Sequence, residues 1–286
     1  MGVPTPSRRG FLTAAGGFAL AGALGWPEAA VAGATLPEAS TALSALLVSN
    51  DLYVSPDPQR VAFVIYRGPT PATGAPAQLA LAAPGAQQGE VVDAHQMSAG
   101  LPKGRGVYVI EAVLDQPGVY EGRVLTRGKR VPLALQVRQT AAAATPGMMA
   151  NRAPSPTTQN PLGVHPICTR QPPCPLHTES LAAVIGTGRP VAVLFATPAL
   201  CQTRYCGPVL DELLVARQPF ENQISFVHVE IYASLTGNEE APTVMAWNLP
   251  YEPFLFTIDG SGIIRGRLDS AFGRDEITPL LQDLVT

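Results

Sequence analysis

The chain has 286 residues, 46% hydrophobic and 14% charged, with 19 Lys and Arg against 22 Asp and Glu for a formal net charge of −3. That balance lacks the basic excess through which proteins hold nucleic acid or an anionic membrane surface, so neither is expected as a partner. The length exceeds a usual single domain, and two domains are the natural expectation.

The first element is a targeting segment. Ser7-Arg8-Arg9-Gly10-Phe11-Leu12 is followed by an uncharged Ala/Gly/Leu run to Gly25 and by Ala30-Val31-Ala32. Paired arginines, a short apolar core and an Ala-x-Ala cut site resemble a twin-arginine export signal over residues 1–32. The run is shorter than the roughly 20 apolar residues of a spanning helix, so no integral membrane domain is expected after cleavage. No cysteine near the cut site supports a lipoprotein anchor, although an uncleaved signal would tether the chain. The expected location is extracytoplasmic, secreted or on the cell envelope. Thiols there tend to be oxidised, and the four cysteines, Cys168, Cys174, Cys201 and Cys206, fit two disulfides.

Residues 40–138 read as β. Arg60–Tyr66, Ala77–Leu81, Gly106–Val113, Gly118–Leu125 and Val131–Val137 are short runs separated by Pro/Gly turns, which predicts an antiparallel sandwich. The stretch Val113–Val124 resembles the closing hairpin of small bacterial immunoglobulin-like domains, which implies a scaffold or docking module. His95 and Met97 have the chemistry of copper ligands, but with no further histidine in this half they read as a solvated loop. Residues 139–160 turn Ala/Pro/Thr/Ser-rich without apolar period and are expected to form a solvated linker.

Residues 161–286 carry the chemistry. The pattern predicts a helix at Thr178–Ile185 ended by Gly186 and Gly188, a buried strand at Val191–Phe195, a cysteine loop, and a helix at Pro208–Ala216. A strand at Ile224–Ile231, a helix near Ala241–Asn248, strands at Pro253–Ile258 and Ile263–Leu268, and a last helix at Asp275–Val285 follow. A cysteine between a strand and a helix N-terminus sits where the helix dipole favours thiolate.

This order over residues 178–286 resembles the thioredoxin fold. Arg189-Pro-Val-Ala-Val-Leu-Phe195 looks like its strand to the active site, and Glu252-Pro253-Phe-Leu-Phe-Thr-Ile-Asp-Gly260 like the segment whose cis-proline faces the reactive sulfur. Phe272-Gly273 with Asp275-Glu276-Ile277 is similar to its entry into the last helix. The resemblance implies a multidomain fold class, an all-β sandwich followed by an α/β thioredoxin-like domain. It also implies Cys201, Cys206 and Pro253 as the catalytic set. The register departs from the family: Tyr205-Cys206-Gly207-Pro208-Val209 has valine where the resolving cysteine belongs, whereas Cys201 falls six residues past Phe195, where the nucleophile would stand. The preferred reading is a Cys-x4-Cys pair. Residues five apart on a helix are turned by about 140° and stand about 8 Å apart, beyond the roughly 7 Å limit of a bridge, so Cys201 must lie outside the helix. Pro208 suits a first helical position, which would leave both cysteines in the loop.

Competing readings come from the same residues. Thr197-Pro198-Ala-Leu-Cys201 resembles Q-type peroxiredoxins, but the threonine stands one residue too far from the cysteine, and Leu249-Pro-Tyr-Glu-Pro253 lacks their arginine. Leu194 occupies the position of the family's buried carboxylate. Glu230 could substitute for it, although a solvated strand-end residue is the plainer reading. His165-Pro-Ile-Cys168-Thr-Arg-Gln-Pro-Pro-Cys174-Pro-Leu-His177 has the residue types of a tetrahedral zinc site, yet in an oxidising compartment a structural Cys168–Cys174 disulfide is preferred. His228 reads as a sheet-face residue, with copper held by Cys201, Cys206 and His228 as a further alternative. The expectation is an exported thiol-disulfide protein using Cys201–Cys206 on a partner protein's thiols, without cofactor or metal. The alternative from another class is a non-enzymatic binding or assembly protein whose disulfides are both structural.

Overall fold

The structure, a computed structural model, describes residues 42–101, 104, 106–201 and 204–286. The export signal expected over residues 1–32 lies outside the described residues. Nine strands fill the first half: β1 (Leu43–Leu47), β2 (Leu52–Tyr53), β3 (Ser55–Arg67), β4 (Thr70–Pro71), β5 (Ala77–Ala82), β6 (Glu90–Met97), β7 (Val107–Leu114), β8 (Gly118–Thr126) and β9 (Lys129–Arg138). They join in one sheet of order β1-β3-β7-β6-β5-β8-β9-β2, with β4 beside β3. The sheet curls because β6 changes neighbour partway along: Glu90–Ala94 pair with β5 and His95–Met97 with β7.

Strand periodicity explains what the sheet encloses. Val131, Leu133, Leu135 and Val137 of β9 alternate inward against exposed neighbours. Opposite them stand Val61, Phe63 and Ile65 of β3 and Tyr108 and Ile110 of β7. The β8–β9 hairpin turns at Arg127 and Gly128, both at positive φ, the backbone of the two-residue turn that matches strand twist. Strand β3 is buried on both faces over Val61–Ile65, because Ala62 and Val64 point away from this core into a second cluster with Val107, Val109, Leu101 and Ala271.

The second half holds a four-stranded sheet of β10 (Val191–Phe195), β11 (Ser225–Val229), β12 (Phe254–Ile258) and β13 (Ile264–Asp269), in the order β11-β10-β12-β13. Only β10 and β11 run parallel; the other pairs are antiparallel. Both faces are covered, so β10, β11 and β12 are buried throughout, as their uninterrupted apolar runs require. Phe195, Phe254 and Phe256 pack on one face with Trp247. Leu194, Phe226 and Leu255 pack on the other with helix α2 (Cys206–Ala216) and helix α4 (Arg274–Asp283). Helices α1 (Leu181–Val184) and α3 (Pro242–Trp247) complete the set.

The expected fold class is corrected by this arrangement. Among the described residues, thirteen strands stand against four α-helices, so the chain is mostly β, and the second half is not the α/β thioredoxin-like domain expected. The first helix also falls short of its expected extent. The run read as Thr178–Ile185 yields a helix of 4 residues, whose N-cap Ser180 makes no cap bond although Leu181 N–H donates to Ser155 Oγ at 2.9 Å, and which is followed by Gly186 and Gly188 at positive φ. The first half also differs in form from the expected sandwich: it is one continuous curled sheet.

Residues 139–160 are not a solvated linker. Gly147 N–H donates to Ile264 O, Ile264 N–H to Met148 O and Ala150 N–H to Gly262 O, each at 2.9 Å, and Ala143 and Ala150 are buried beside the second sheet. Asp51 fastens the same segment from the first half. Its carboxylate accepts from Ala142 N–H at 2.8 Å, Ala143 N–H at 3.1 Å and Arg267 Nη1 at 3.0 Å. Arg60 of β3 reaches across in the other direction, donating to Ala271 O at 2.6 Å and to both Glu276 carboxylate oxygens. Residues Ala39–Thr286 accordingly form one compact unit. No helix among the described residues is long and apolar enough to cross a membrane.

Candidate functional site

Strand β10 delivers the chain to the cysteine loop. Ala196 N–H still donates to Val229 O at 3.0 Å, extending the strand by one bond, and then Leu200 N–H to Thr197 O and Arg204 N–H to Cys201 O fold the loop back on itself. Arg204 sits at φ 63°, and α2 begins directly after Tyr205. Cys206 is thus the first residue of the helix and Cys201 lies outside it, as the spacing argument requires; the expectation that Cys206 also precedes the helix is corrected. The two sulfurs form a disulfide with Cα atoms 5.9 Å apart. Cys206 is fully buried and Cys201 half-buried, so an incoming thiolate meets Cys201 first. Cys206 N–H donates to Cys201 Sγ at 3.2 Å, and the first turn of α2 favours negative charge on either sulfur after reduction.

The third member of the site is Glu252. Its Oε2 lies 3.3 Å from Cys206 Sγ and accepts the Thr197 N–H at 2.7 Å. Burial pushes its carboxyl up to about 7; the Thr197 hydrogen bond opposes that shift, the charge of Glu230 adds to it, and His228 opposes it weakly. Neither sulfur of a disulfide carries a proton, so the proton across this contact is Glu252's own. A carboxyl that titrates near neutrality beside the buried sulfur is placed to protonate it on release and to accept its proton when it attacks. Pro253, the expected groove residue, is buried directly after Glu252, joined by a cis peptide bond, and its carbonyl accepts Ser270 N–H at 3.0 Å.

Leu194 is buried in β10 and supplies no proton acceptor. Glu230 is buried as well, not solvated: it accepts Thr169 N–H at 2.7 Å and Thr169 Oγ1–H at 3.1 Å. Thr197, the residue that suggested a peroxidase, has its side-chain oxygen occupied by Ile231 N–H at 2.8 Å.

The expected Cys168–Cys174 disulfide is absent, and both residues are free, buried thiols. Cys174 N–H donates to Cys168 Sγ at 3.3 Å. The Cys174 side chain also donates to that sulfur, holding Cys168 well below the usual thiol range against the effect of burial; the same bond, with burial, pushes Cys174 up. His177 and His228 complete the group. Cys174 Sγ lies 3.3 Å from His177 Nε2 and 3.4 Å from His228 Nδ1, and those two nitrogens are 3.2 Å apart. Burial lowers the His177 pKa, whereas Cys168 and Glu230 raise that of His228 more than burial lowers it. His165, the other end of the near-symmetric loop, is exposed and not part of this group. His95 is exposed on β6 and Met97, two residues on, is half-buried; no further candidate metal ligands gather there among the described residues.

No protein-family model matches the chain, and no curated protein is significantly similar to it. The site therefore rests on its own geometry. Reading along the chain missed Glu252, a lone acidic residue in a loop 46 positions from Cys206. Its one sequence signal is its place immediately before the proline singled out as facing the sulfur.

Proposed function

We propose that the protein exchanges disulfides with the thiols of a partner protein outside the cytoplasm, through Cys201 and Cys206 with Glu252 as the proton carrier. A partner thiolate attacks Cys201 Sγ; the Cys201–Cys206 bond breaks, and the Cys206 thiolate takes the Glu252 proton. A second partner thiolate then attacks the partner sulfur of the mixed disulfide and releases the Cys201 thiolate. The partner loses two electrons and gains a disulfide; the protein gains the two electrons as a dithiol. Run backwards, ionised Glu252 takes the proton from Cys206 as it attacks the mixed disulfide.

The observation that carries this reading is the 3.3 Å contact between Glu252 Oε2 and the buried Cys206 sulfur, with the other sulfur half-exposed. A purely structural bridge has no use for a proton carrier at its leaving sulfur. The test is kinetic trapping. The Cys206→Ser variant, incubated with a disulfide-containing peptide, is expected to accumulate a mixed disulfide at Cys201, and Cys201→Ser none at Cys206. A wild-type bridge with a potential below about −300 mV, together with no trapped species, would sink the proposal in favour of a structural bond.

A further inference from the structure

We propose that Cys168, Cys174, His177 and His228 bind one Zn2+ ion in a closed tetrahedral site, separate from the Cys201–Cys206 pair. The first ground is convergence. One ligand atom from each of these four residues lies within 4.8 Å of the other three, and all four residues are buried. Zinc bonds of about 2.3 Å to sulfur and about 2.0 Å to nitrogen in tetrahedral array place two nitrogens roughly 3.3 Å apart and a nitrogen and sulfur roughly 3.6 Å apart. The separations in the structure are 3.2 Å for the two nitrogens and 3.3 and 3.4 Å for nitrogen to sulfur, so an ion can be centred with small adjustments of the side chains.

The second ground is the orientation of His228. Its Nε2 lies 2.9 Å from Ala196 O, a carbonyl that can only accept, so Nε2 carries the proton and the Nδ1 lone pair faces the cluster. That outer bond fixes the tautomer a metal needs and orients the ring. The third ground is charge. Two thiols lose their protons on binding, and a dication with two thiolates and two neutral imidazoles is a neutral complex, the form a buried site tolerates. Four protein ligands leave no open position, which marks a structural ion; mixed nitrogen and sulfur donors in a tetrahedron suit zinc better than thiolate-seeking Cu+.

The elements that supply the ligands say what the ion does. Cys168, Cys174 and His177 come from a segment that otherwise attaches to β11 through His228 N–H to Leu176 O, at 2.9 Å, and His228 is itself within β11. An ion here bolts that segment to the sheet. Through the His228–Ala196 bond, it also steadies the loop that leads to Cys201.

The test is metal content of the full chain expressed in zinc-supplemented medium. One zinc per chain is expected, retained in the Cys201→Ser/Cys206→Ser double variant. Cys168→Ser and His228→Ala should lower affinity in chelator competition by roughly 100-fold or more, beyond what loss of an outer-shell partner costs. Because loss of a buried ligand can also unfold the chain, the wild-type apoprotein loaded with Co2+ provides a second readout: thiolate-to-cobalt absorption and intense tetrahedral bands support the site. Folded wild-type protein that binds neither Zn2+ nor Co2+ would overturn it. So would zinc lost with Cys201 and Cys206 instead of Cys168, uptake of Cu+ without Zn2+, or a Cys168–Cys174 disulfide in protein from its native compartment.

Discussion

Glu252→Gln is expected to slow disulfide exchange at Cys201–Cys206 by about 100-fold at pH 7, within the range for losing one positioned proton carrier. Glutamine keeps the shape and still accepts the Thr197 N–H, but it cannot hand a proton to the buried sulfur. The wild-type profile should reveal the same group. Release of Cys206 from the disulfide needs protonated Glu252, so this direction should slow as pH rises through about 7. Attack by Cys206 needs the carboxylate, so the opposite direction should quicken over the same interval. Both limbs should vanish in the variant, and stopped-flow measurement with a dithiol and a disulfide peptide reads each.

Stability offers an independent check with a worked sign. Glu252 titrates higher in the folded chain than its ordinary value of 4.5, so its contribution is fully present below that value and lost as pH rises through about 7. Glutamine has no charge to bury. The variant should therefore gain on the wild type between pH 4.5 and 8, by on the order of 1–3 kcal/mol in the oxidised protein, measured by urea unfolding at each pH. A variant that is slower but shows no such gain would mean that the half-buried Glu252 carboxyl is not held above its ordinary range.

Asp51→Ala is expected to lower stability by about 3–5 kcal/mol, the cost of breaking a buried ion pair, and the melting temperature by on the order of 10 °C. The substitution leaves the Ala142 and Ala143 amides without their acceptor, and Arg267, whose side chain is 8% exposed, without its nearest carboxylate. Arg267 keeps a 3.3 Å contact to Asp269 and stays over the Tyr53 and Phe254 rings, which limits the loss. Asp51→Asn keeps one acceptor and should lose less. Thermal unfolding of both variants beside the wild type separates the missing charge from the missing hydrogen bonds.

Legibility followed range along the chain. Val191–Phe195 was readable as a buried strand because five apolar residues stand in a row with glycine and proline before them, and the observed strand has those bounds. Cys201's place outside the helix followed from helical geometry. Segment 139–160 misled because its alanines and prolines carry no apolar period; its order comes from backbone bonds to β13 and from Asp51, about 90 residues earlier. The cysteine–histidine group was half readable. The loop displays His165 and His177 symmetrically, but His165 faces outward and the fourth member, His228, lies 54 residues beyond Cys174. No local pattern announces a partner at that distance. The fold class was overdrawn because the local runs gave no measure of how much sheet the whole chain would hold, thirteen strands against four α-helices among the described residues, and because Gly186 and Gly188 cut the first helix to one turn.

The double-sided burial of β3 bears on the order in which the chain can mature. Its outward residues Ala62 and Val64 share their cluster with Ala271 from the second half, and Arg60 beside them finds a carboxylate at Glu276. During synthesis Ala271 and Glu276 appear more than 200 residues after their β3 partners, long after the curled sheet has all its strands. The early half must therefore wait with part of this apolar strip uncovered, and with Arg60 held only beside Glu111 of β7, until α4 emerges.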